Sequence, residues 1–299
     1  MKILITGGTG FIGKELCKRL LQRGASLTVL SRHPETVAER CGEQVAGIGS
    51  LGALSADDAF DAVINLAGEP IADARWMERR KRLLWESRVT LTEQLVDYIA
   101  RAQAKPQVLV SGSAVGYYGD CGDRLLDEAS IYTDDFSHRL CAAWEEAAGK
   151  ARDHGVRVCT LRTGLVVGKN GGFLQRMLAP FKMGMGGRLG DGRQWMSWVH
   201  RNDLIRMIEH LLDSPGSSGA YNGTAPHPVT NREFTRVLAK VLKRPALLPV
   251  PAAVLKVALG ELSVLLLGGQ RVVPKRFLEE GFRFEFEILE QALTDVLAT

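Results

Sequence analysis

Three glycines in the run Gly7-Gly8-Thr9-Gly10-Phe11-Ile12-Gly13 carry the spacing in this 299-residue chain that most directly implies chemistry. Gly7, Gly10 and Gly13 suit a loop that seats a pyrophosphate. One makes a tight turn, one lets the backbone approach the phosphates, and one lets a helix pack closely on a strand. Thr9, Phe11 and Ile12 belong to the same loop and would border the ligand. A helix starting behind the loop offers N–H donors and a partial positive charge to the phosphates. A dinucleotide held there would bring hydride chemistry. At the end of the next apolar run stand Ser31-Arg32-His33, where an acidic residue would hold the adenosine ribose of NAD. A guanidinium at that place can grip a 2′-phosphate bidentately. Ser31 and Arg32 therefore point to NADP(H); the alternative is an arginine solvated at a strand end.

These residues need a strand before the loop and a helix after it. Lys2–Thr6 is a short apolar run, and an apolar-periodic pattern follows from Phe11 to about Arg23. Strand-like runs recur at Ser26–Leu30, Ala62–Asn65, Gln107–Ser111 and Val156–Leu161. Helical patterns separate them at about Trp76–Gln103, stopping before Lys105-Pro106, and at about Phe136–His154. Alternating strands and helices predict an α/β fold, a Rossmann-type doubly wound parallel sheet. Beyond about Gly168 the alternation weakens and glycines become denser. The expected organisation is a dinucleotide-binding Rossmann domain over 1–220, with 169–200 contributing to the substrate site, and a smaller helix-rich C-terminal lobe over 221–299.

Hydrophobic content of 45% and charged content of 24% are ordinary for a globular protein. The net charge of +4 is mild, and no basic cluster interleaved with aromatics announces a nucleic-acid partner. Arg79-Arg80-Lys81-Arg82 reads as a solvated helix face or a phosphate neighbour. Cysteines 17, 41, 121, 141 and 159 show no paired spacing, which suits a reducing cytoplasm; no metal site is expected. No cleaved leader is expected ahead of a fold that begins at Lys2. Ala252–Leu267 is apolar but interrupted by Lys256, Gly260 and Glu261, too short to span a bilayer. It reads as a buried helix pair or a contact surface, for instance in a homodimer, and no membrane partner is expected.

With these residues in place, the chain resembles the extended short-chain dehydrogenase/reductase superfamily, in its sugar-nucleotide epimerase branch, over nearly its whole length. The motifs that carry the resemblance are Gly7–Gly13, Asn65-Leu-Ala-Gly68, Ser111-Gly-Ser-Ala-Val-Gly-Tyr-Tyr-Gly119, Leu161-Arg-Thr-Gly-Leu-Val-Val-Gly168 and Gly190-Asp-Gly-Arg-Gln…Trp198-Val-His200…Asp203. More narrowly it is similar to the epimerase-like YfcH group, through Asn65–Ile71, Arg75-Trp76, Ser87-Arg88, Gln194–Trp198 and Pro274–Phe277. The resemblance implies that Asn65, Leu66, Ala67 and Gly68 lie along the cofactor ribose. It also implies that Ser111 and Ser113 sit beside the nicotinamide and that Thr163 and Leu165 close over it. Gly171–His200 would cover a small-molecule substrate. Arg75, Trp76 and Arg88 match the narrow group, with substrate contact, cofactor phosphate or helix packing as open roles.

The chain departs from the superfamily at its acid–base pair, a Tyr and a Lys four residues later on the helix after the serine strand. There the ammonium lowers the phenol pKa and holds the ribose. In Asp135-Phe-Ser-His-Arg-Leu-Cys-Ala-Ala-Trp-Glu-Glu146 the two positions are Phe136 and Leu140, or Ser137 and Cys141 in the register that aligns Glu145. Neither restores the pair. Ser113, with Tyr117 or Tyr118 shortly after it, is the remaining catalytic candidate, and His200 has the titration range of a base. Met196 stands where an arginine would grip nucleotide phosphates. Trp195 and Trp198 flank it and suit a flatter, less anionic substrate. The resemblance thus implies an NADP(H)-binding oxidoreductase or epimerase-like enzyme acting on a small molecule. The alternative is an NADP(H)-binding regulatory or scaffold protein that has lost catalysis.

Overall fold

The computed structural model describes residues 1–298. The apolar runs form the strands β1 (Lys2–Thr6), β2 (Ser26–Leu30), β3 (Ala46–Ile48), β4 (Ala62–Asn65), β5 (Val108–Ala114), β6 (Arg157–Thr163) and β7 (Gly219–Gly223). All pair in parallel, in the order β3-β2-β1-β4-β5-β6-β7. The chain order reverses between β1 and β4, so a crevice opens at the carboxyl ends of these two strands, where open α/β sheets bind ligands.

The helices that matter here are α1 (Gly13–Gln22), α2 (Leu91–Arg101), α3 (Phe136–Gly149), α4 (Gly172–Lys182), α5 (Arg201–Asp213), α6 (Asn231–Leu242), α7 (Ala252–Leu259) and α8 (Leu289–Leu297). Successive strand residues face opposite sides, so Ile3 and Ile5 pack with Leu16, Val29 and Ile208 while Leu4 packs with Leu95, Ile99 and Leu109. Both faces are thus covered, which is why the strands read as continuous apolar runs. A third core gathers Trp198, Phe234, Leu238 and Leu293.

Two features go beyond the sequence reading. The pattern over Trp76–Gln103 is not one helix but Glu78–Trp85, a π-helical turn over Glu86–Thr90, and α2. From the start of α2 the Thr92 hydroxyl donates back to the Arg88 carbonyl of that turn at 2.6 Å, a local competitor of the helix ladder. The seventh strand also crosses the point between 220 and 221, and the C-terminal Lys275–Phe282 stretch packs along it. Arg276 Nη1 donates to the Ala220 carbonyl at 2.8 Å, Tyr221 donates to Glu280 Oε1 at 2.6 Å, and Phe277 is buried in the sheet core.

Among the described residues no helix is long and apolar enough to cross a membrane. The five cysteines are free and buried.

Candidate functional site

The loop after β1 assigns a separate task to each glycine. Gly7 has φ +73°, and a Cβ there would lie 2.6 Å from the Leu66 backbone. At Gly13 a Cβ would lie 2.2 Å from the Gly7 carbonyl oxygen and 2.6 Å from Gly8 Cα. These two glycines are demanded by the protein's own packing. Gly10 is different: its nearest neighbour is the Gly7 carbonyl at 3.1 Å, with nothing else within 4 Å. The backbone is therefore approachable at Gly10, on the loop that leads into α1. That helix begins without a side-chain cap, and of its first turn Lys14 N–H donates to the Gly10 carbonyl at 3.1 Å. Phe11 leans away to fill a hollow beside Gly168, Gly171 and Gly172, where added Cβ atoms would fall 2.4–3.0 Å from its ring. The glycines of this later stretch make room for the loop.

At the end of β2 the Arg32 side chain is 83% exposed and bonded to Glu69 Oε1 at 2.6 Å. Arg80 approaches the other oxygen of the same carboxylate at 3.6 Å and also donates to the Pro70 carbonyl. Two guanidiniums thus share one carboxylate, leaving an excess of positive charge beside Ser31, whose hydroxyl accepts from His33 N–H at 3.1 Å.

The carboxyl end of β4 is tied down by a buried network. Thr6 donates to Asn65 Oδ1 at 2.6 Å, while Asn65 Nδ2 donates to Thr92 at 2.8 Å and to Ser111 at 3.2 Å. Trp144 Nε1 joins at Thr92, and Ala67 N–H donates back to Thr6. The Asn65 and Ser111 side chains therefore brace the ends of β1, β4 and β5, and Leu66-Ala67-Gly68 is held as a fixed shelf against Gly7. Arg88 lies under that shelf. Its guanidinium is within 3.0 Å of the site of a Gly68 Cβ, donates to the Glu69 carbonyl at 2.8 Å, and sits 5.5 Å from the Trp144 ring centre. Burial lowers its pKa, with Cys141 among the groups it feels.

Ser113, near the end of β5, donates to Glu145 Oε1 at 2.7 Å. Glu145 comes from α3 and receives a bidentate pair from Arg162 on β6, Nε at 2.8 Å and Nη2 at 2.9 Å. Arg162 Nη1 donates to the Tyr118 hydroxyl at 3.0 Å, which in turn donates to Asn222 Oδ1 at 2.7 Å. Burial would push the Arg162 guanidinium down, but the hydrogen bonds and charge of Glu145 outweigh it and hold it up. Burial also pushes the Tyr118 phenol up to about 12, so this hydroxyl stays protonated. Tyr117 lies against Arg162, 3.4 Å from guanidinium carbon to ring centre, and is half-buried. The two tyrosines thus play different parts. Sequence reasoning singled out neither Arg162 nor the Glu145 carboxylate for this centre; the signal was a charged residue directly following the apolar run Val158–Leu161 in the same strand.

The other candidates spread over the rim. Arg75 donates from Nε and Nη2 to the Ala258 and Val257 carbonyls, the last turn of α7, where a cation is favoured. Trp76 is buried against Phe136 and bonds the Ile71 carbonyl at 3.0 Å. Trp198 is a core residue whose Nε1 donates to the His227 carbonyl, while Trp195 is partly exposed under Arg271 and bonds Asp123. His200 caps α5: its Nδ1 accepts from Asn202 N–H at 3.2 Å, its ring packs on Phe286, and Nε2 lies 3.3 Å from Asp295 without hydrogen-bond geometry. His200 thus faces Phe286 and Asp295, and the structure does not join it to Ser113. Leu165 N–H donates to the Ser197 carbonyl, and a Cβ at Gly164 would lie 2.2 Å from that same oxygen, so Thr163–Leu165 is pressed against the strand of the tryptophans.

A sequence profile of the NAD dependent epimerase/dehydratase family matches residues 3–222, from β1 to β7. The chain belongs to that family. A second profile, of a domain of unknown function (DUF1731), matches residues 250–296. Epimerase-family relatives include the chloroplastic SDR39U1 homolog of Arabidopsis thaliana, 40% identical over 99% of this chain and 87% of that protein. YfhF of Bacillus subtilis is 37% identical over 100% and 98%. Among solved structures, human SDR39U1 crystallised with NADPH superposes with a TM-score of 0.89 at 35% identity, covering 99% of both chains. UDP-galactose 4-epimerase shares the fold at 19% identity, with a TM-score of 0.77.

Of the residues at the two candidate positions of the pair, Ser137 and Cys141 lie against the turn that follows the strand of Ser113. Gly116 faces Ser137 and Cys141 together, a Cβ there falling 3.2 Å from Ser137 Cβ and 3.8 Å from the thiol. The Ser137 hydroxyl is buried without a partner. Burial pushes the Cys141 thiol up to about 12. Neither group can exchange a proton near neutral pH.

Proposed function

We propose that this family member is an NADP(H)-binding oxidoreductase or epimerase-like enzyme that works on a small molecule without a Tyr–Lys pair. The observation that carries the reading is the division of labour among the three glycines, in which two satisfy the fold and Gly10 leaves the backbone open beside an uncapped helix start. That arrangement fits a pyrophosphate. Arg32 would hold a 2′-phosphate by exchanging Glu69 for it, with Arg80 retaining the carboxylate, in line with the NADPH bound to human SDR39U1. Gly68 and Arg88 would border the ribose, and Thr163–Leu165 would cover the nicotinamide, whose chemistry when bound is hydride transfer.

The chain's own part is orientation. Ser113, with its proton held on Glu145, turns its oxygen to accept from a substrate hydroxyl, and Glu145, locked to Arg162, fixes that orientation. Tyr117, half-exposed beside Arg162, offers a face for a flat substrate. With the Tyr118 phenol and the Cys141 thiol both pushed up to about 12, neither is matched to exchange a proton near neutral pH, and the proton is exchanged with water. Cytoplasmic location and a homodimer remain parts of this reading, on the unpaired cysteines and the apolar C-terminal helices.

The missing pair favours a second reading, an NADP(H)-binding regulatory or scaffold protein. One experiment separates the two: NADPH is titrated with wild type and Arg32→Ala, and oxidation of bound NADPH is followed across a panel of carbonyl compounds. Turnover that falls in Ser113→Ala supports the enzyme. Tight binding with no turnover on any compound supports the regulator, and absence of NADPH binding overturns both.

A further inference from the structure

Helix α6 presents Arg232, Arg236 and Lys240 at helical spacing along one side, continued by Lys243 just past its end, while Phe234, Val237 and Leu238 on the other side are buried in the third core. Arg188 and Arg244, on the two segments that face this side, complete an open groove of about 780 Å³. Six cations on one face make it strongly positive. Two carboxylates answer it, Glu290 at 2.6 Å from Lys240 and Glu233 at 3.9 Å from Arg236.

A second observation is independent of charge. Met183 and Met185 are 63% and 51% exposed, and Leu247 and Leu248 are 79% and 56% exposed. They sit on adjoining segments: Gly184 lies against Pro245, and Leu248 N–H donates to the Gly186 carbonyl at 3.2 Å. Leu247 lines the groove itself. Four large apolar side chains are thus held in water beside a row of cations, a combination neither folding nor the nucleotide crevice explains.

We propose that this face docks peripherally on an anionic lipid bilayer, with the cations against headgroup phosphates and carboxylates and the Met and Leu side chains in the interfacial layer. The cations on α6 itself, Arg232 to Lys240, span about 12 Å, longer than one phosphate group requires. Single-stranded nucleic acid is disfavoured because no aromatic residue lines the groove to stack a base, and it has no use for the apolar side chains. Docking at a surface needs no spanning helix.

The test is co-sedimentation of the full chain with vesicles of phosphatidylcholine alone or with added phosphatidylserine, together with anisotropy of a labelled single-stranded oligonucleotide. Expected is binding to the phosphatidylserine vesicles, weakening as salt is raised, and little binding to the neutral ones. R236E/R244E should lower the partition at least about tenfold and M185S/L247S severalfold, each with an unchanged melting temperature and NADPH affinity. Equal binding to both vesicles, no binding to either, variants that bind like wild type, or binding to the oligonucleotide alone would each overturn the proposal.

Discussion

The pair of Glu145 and Arg162 invites a double-mutant cycle. Arg162 is 5% exposed and Glu145 14%, so water screens neither, and the contact is bidentate at 2.8 and 2.9 Å. Removing one partner of such a pair strands a buried charge, at about 3–5 kcal/mol. Glu145→Gln keeps an oxygen for Arg162 and should fall near ~3 kcal/mol; Arg162→Met leaves the carboxylate with Ser113 and takes a donor from Tyr118 and Glu128, nearer ~5 kcal/mol. The double variant leaves no orphaned charge, so it should be more stable than the summed singles by about 2–3 kcal/mol. Urea unfolding measures all four corners, and in thermal melts Glu145→Gln should lose about 6 °C at ~2 °C per kcal/mol for a chain of this size. Additivity within ~0.5 kcal/mol would refute the argument, because it would mean that the two charges do not depend on each other.

Other consequences are quickly checked. Arg32→Ala should weaken NADPH about 10- to 100-fold, the worth of one to two charge-assisted hydrogen bonds, and leave NADH unchanged in fluorescence titration. Gly10→Ala should fold with wild-type circular dichroism and lose dinucleotide binding, whereas Gly13→Ala, with its Cβ 2.2 Å from a carbonyl, should be strongly destabilised. Arg88→Ala should weaken both nicotinamide dinucleotides alike, because Arg88 borders Gly68 rather than the Arg32 end of the crevice. Burial lowers the pKa of His200 against the pull of Asp295 and Asp203. As pH falls through about 6.5 the unfolded chain therefore takes up the proton first, and the stability present above that value is lost. His200→Asn, which can still cap α5, should flatten stability between about pH 7 and pH 5 in urea titrations.

What could be read from the sequence was what neighbouring residues determine. The glycine loop, Ser31-Arg32 and the alternation of strands and helices are local patterns, and the parallel sheet with its crevice follows from them. Glu69 meeting Arg32, Arg75 reaching α7 and Glu145 meeting Arg162 join residues 37, 183 and 17 positions apart, and only the folded chain brings them together. The π-helical turn at Glu86–Thr90 was hidden for another reason. Its apolar spacing continues that of the helices on either side, and the break lies in the backbone, marked by the hydroxyl of Thr92 on a carbonyl.

The stretch Lys275–Phe282, which packs along β7, has a consequence for solubility. β7 is the last strand of the sheet, and beyond it a row of backbone donors and acceptors would stand open to another chain. Arg276 occupies the Ala220 carbonyl, and Phe277 and Glu280 cover Tyr221. A chain cut before Lys275 would keep every residue of the crevice and still be expected to aggregate, because its sheet would end in an unguarded edge.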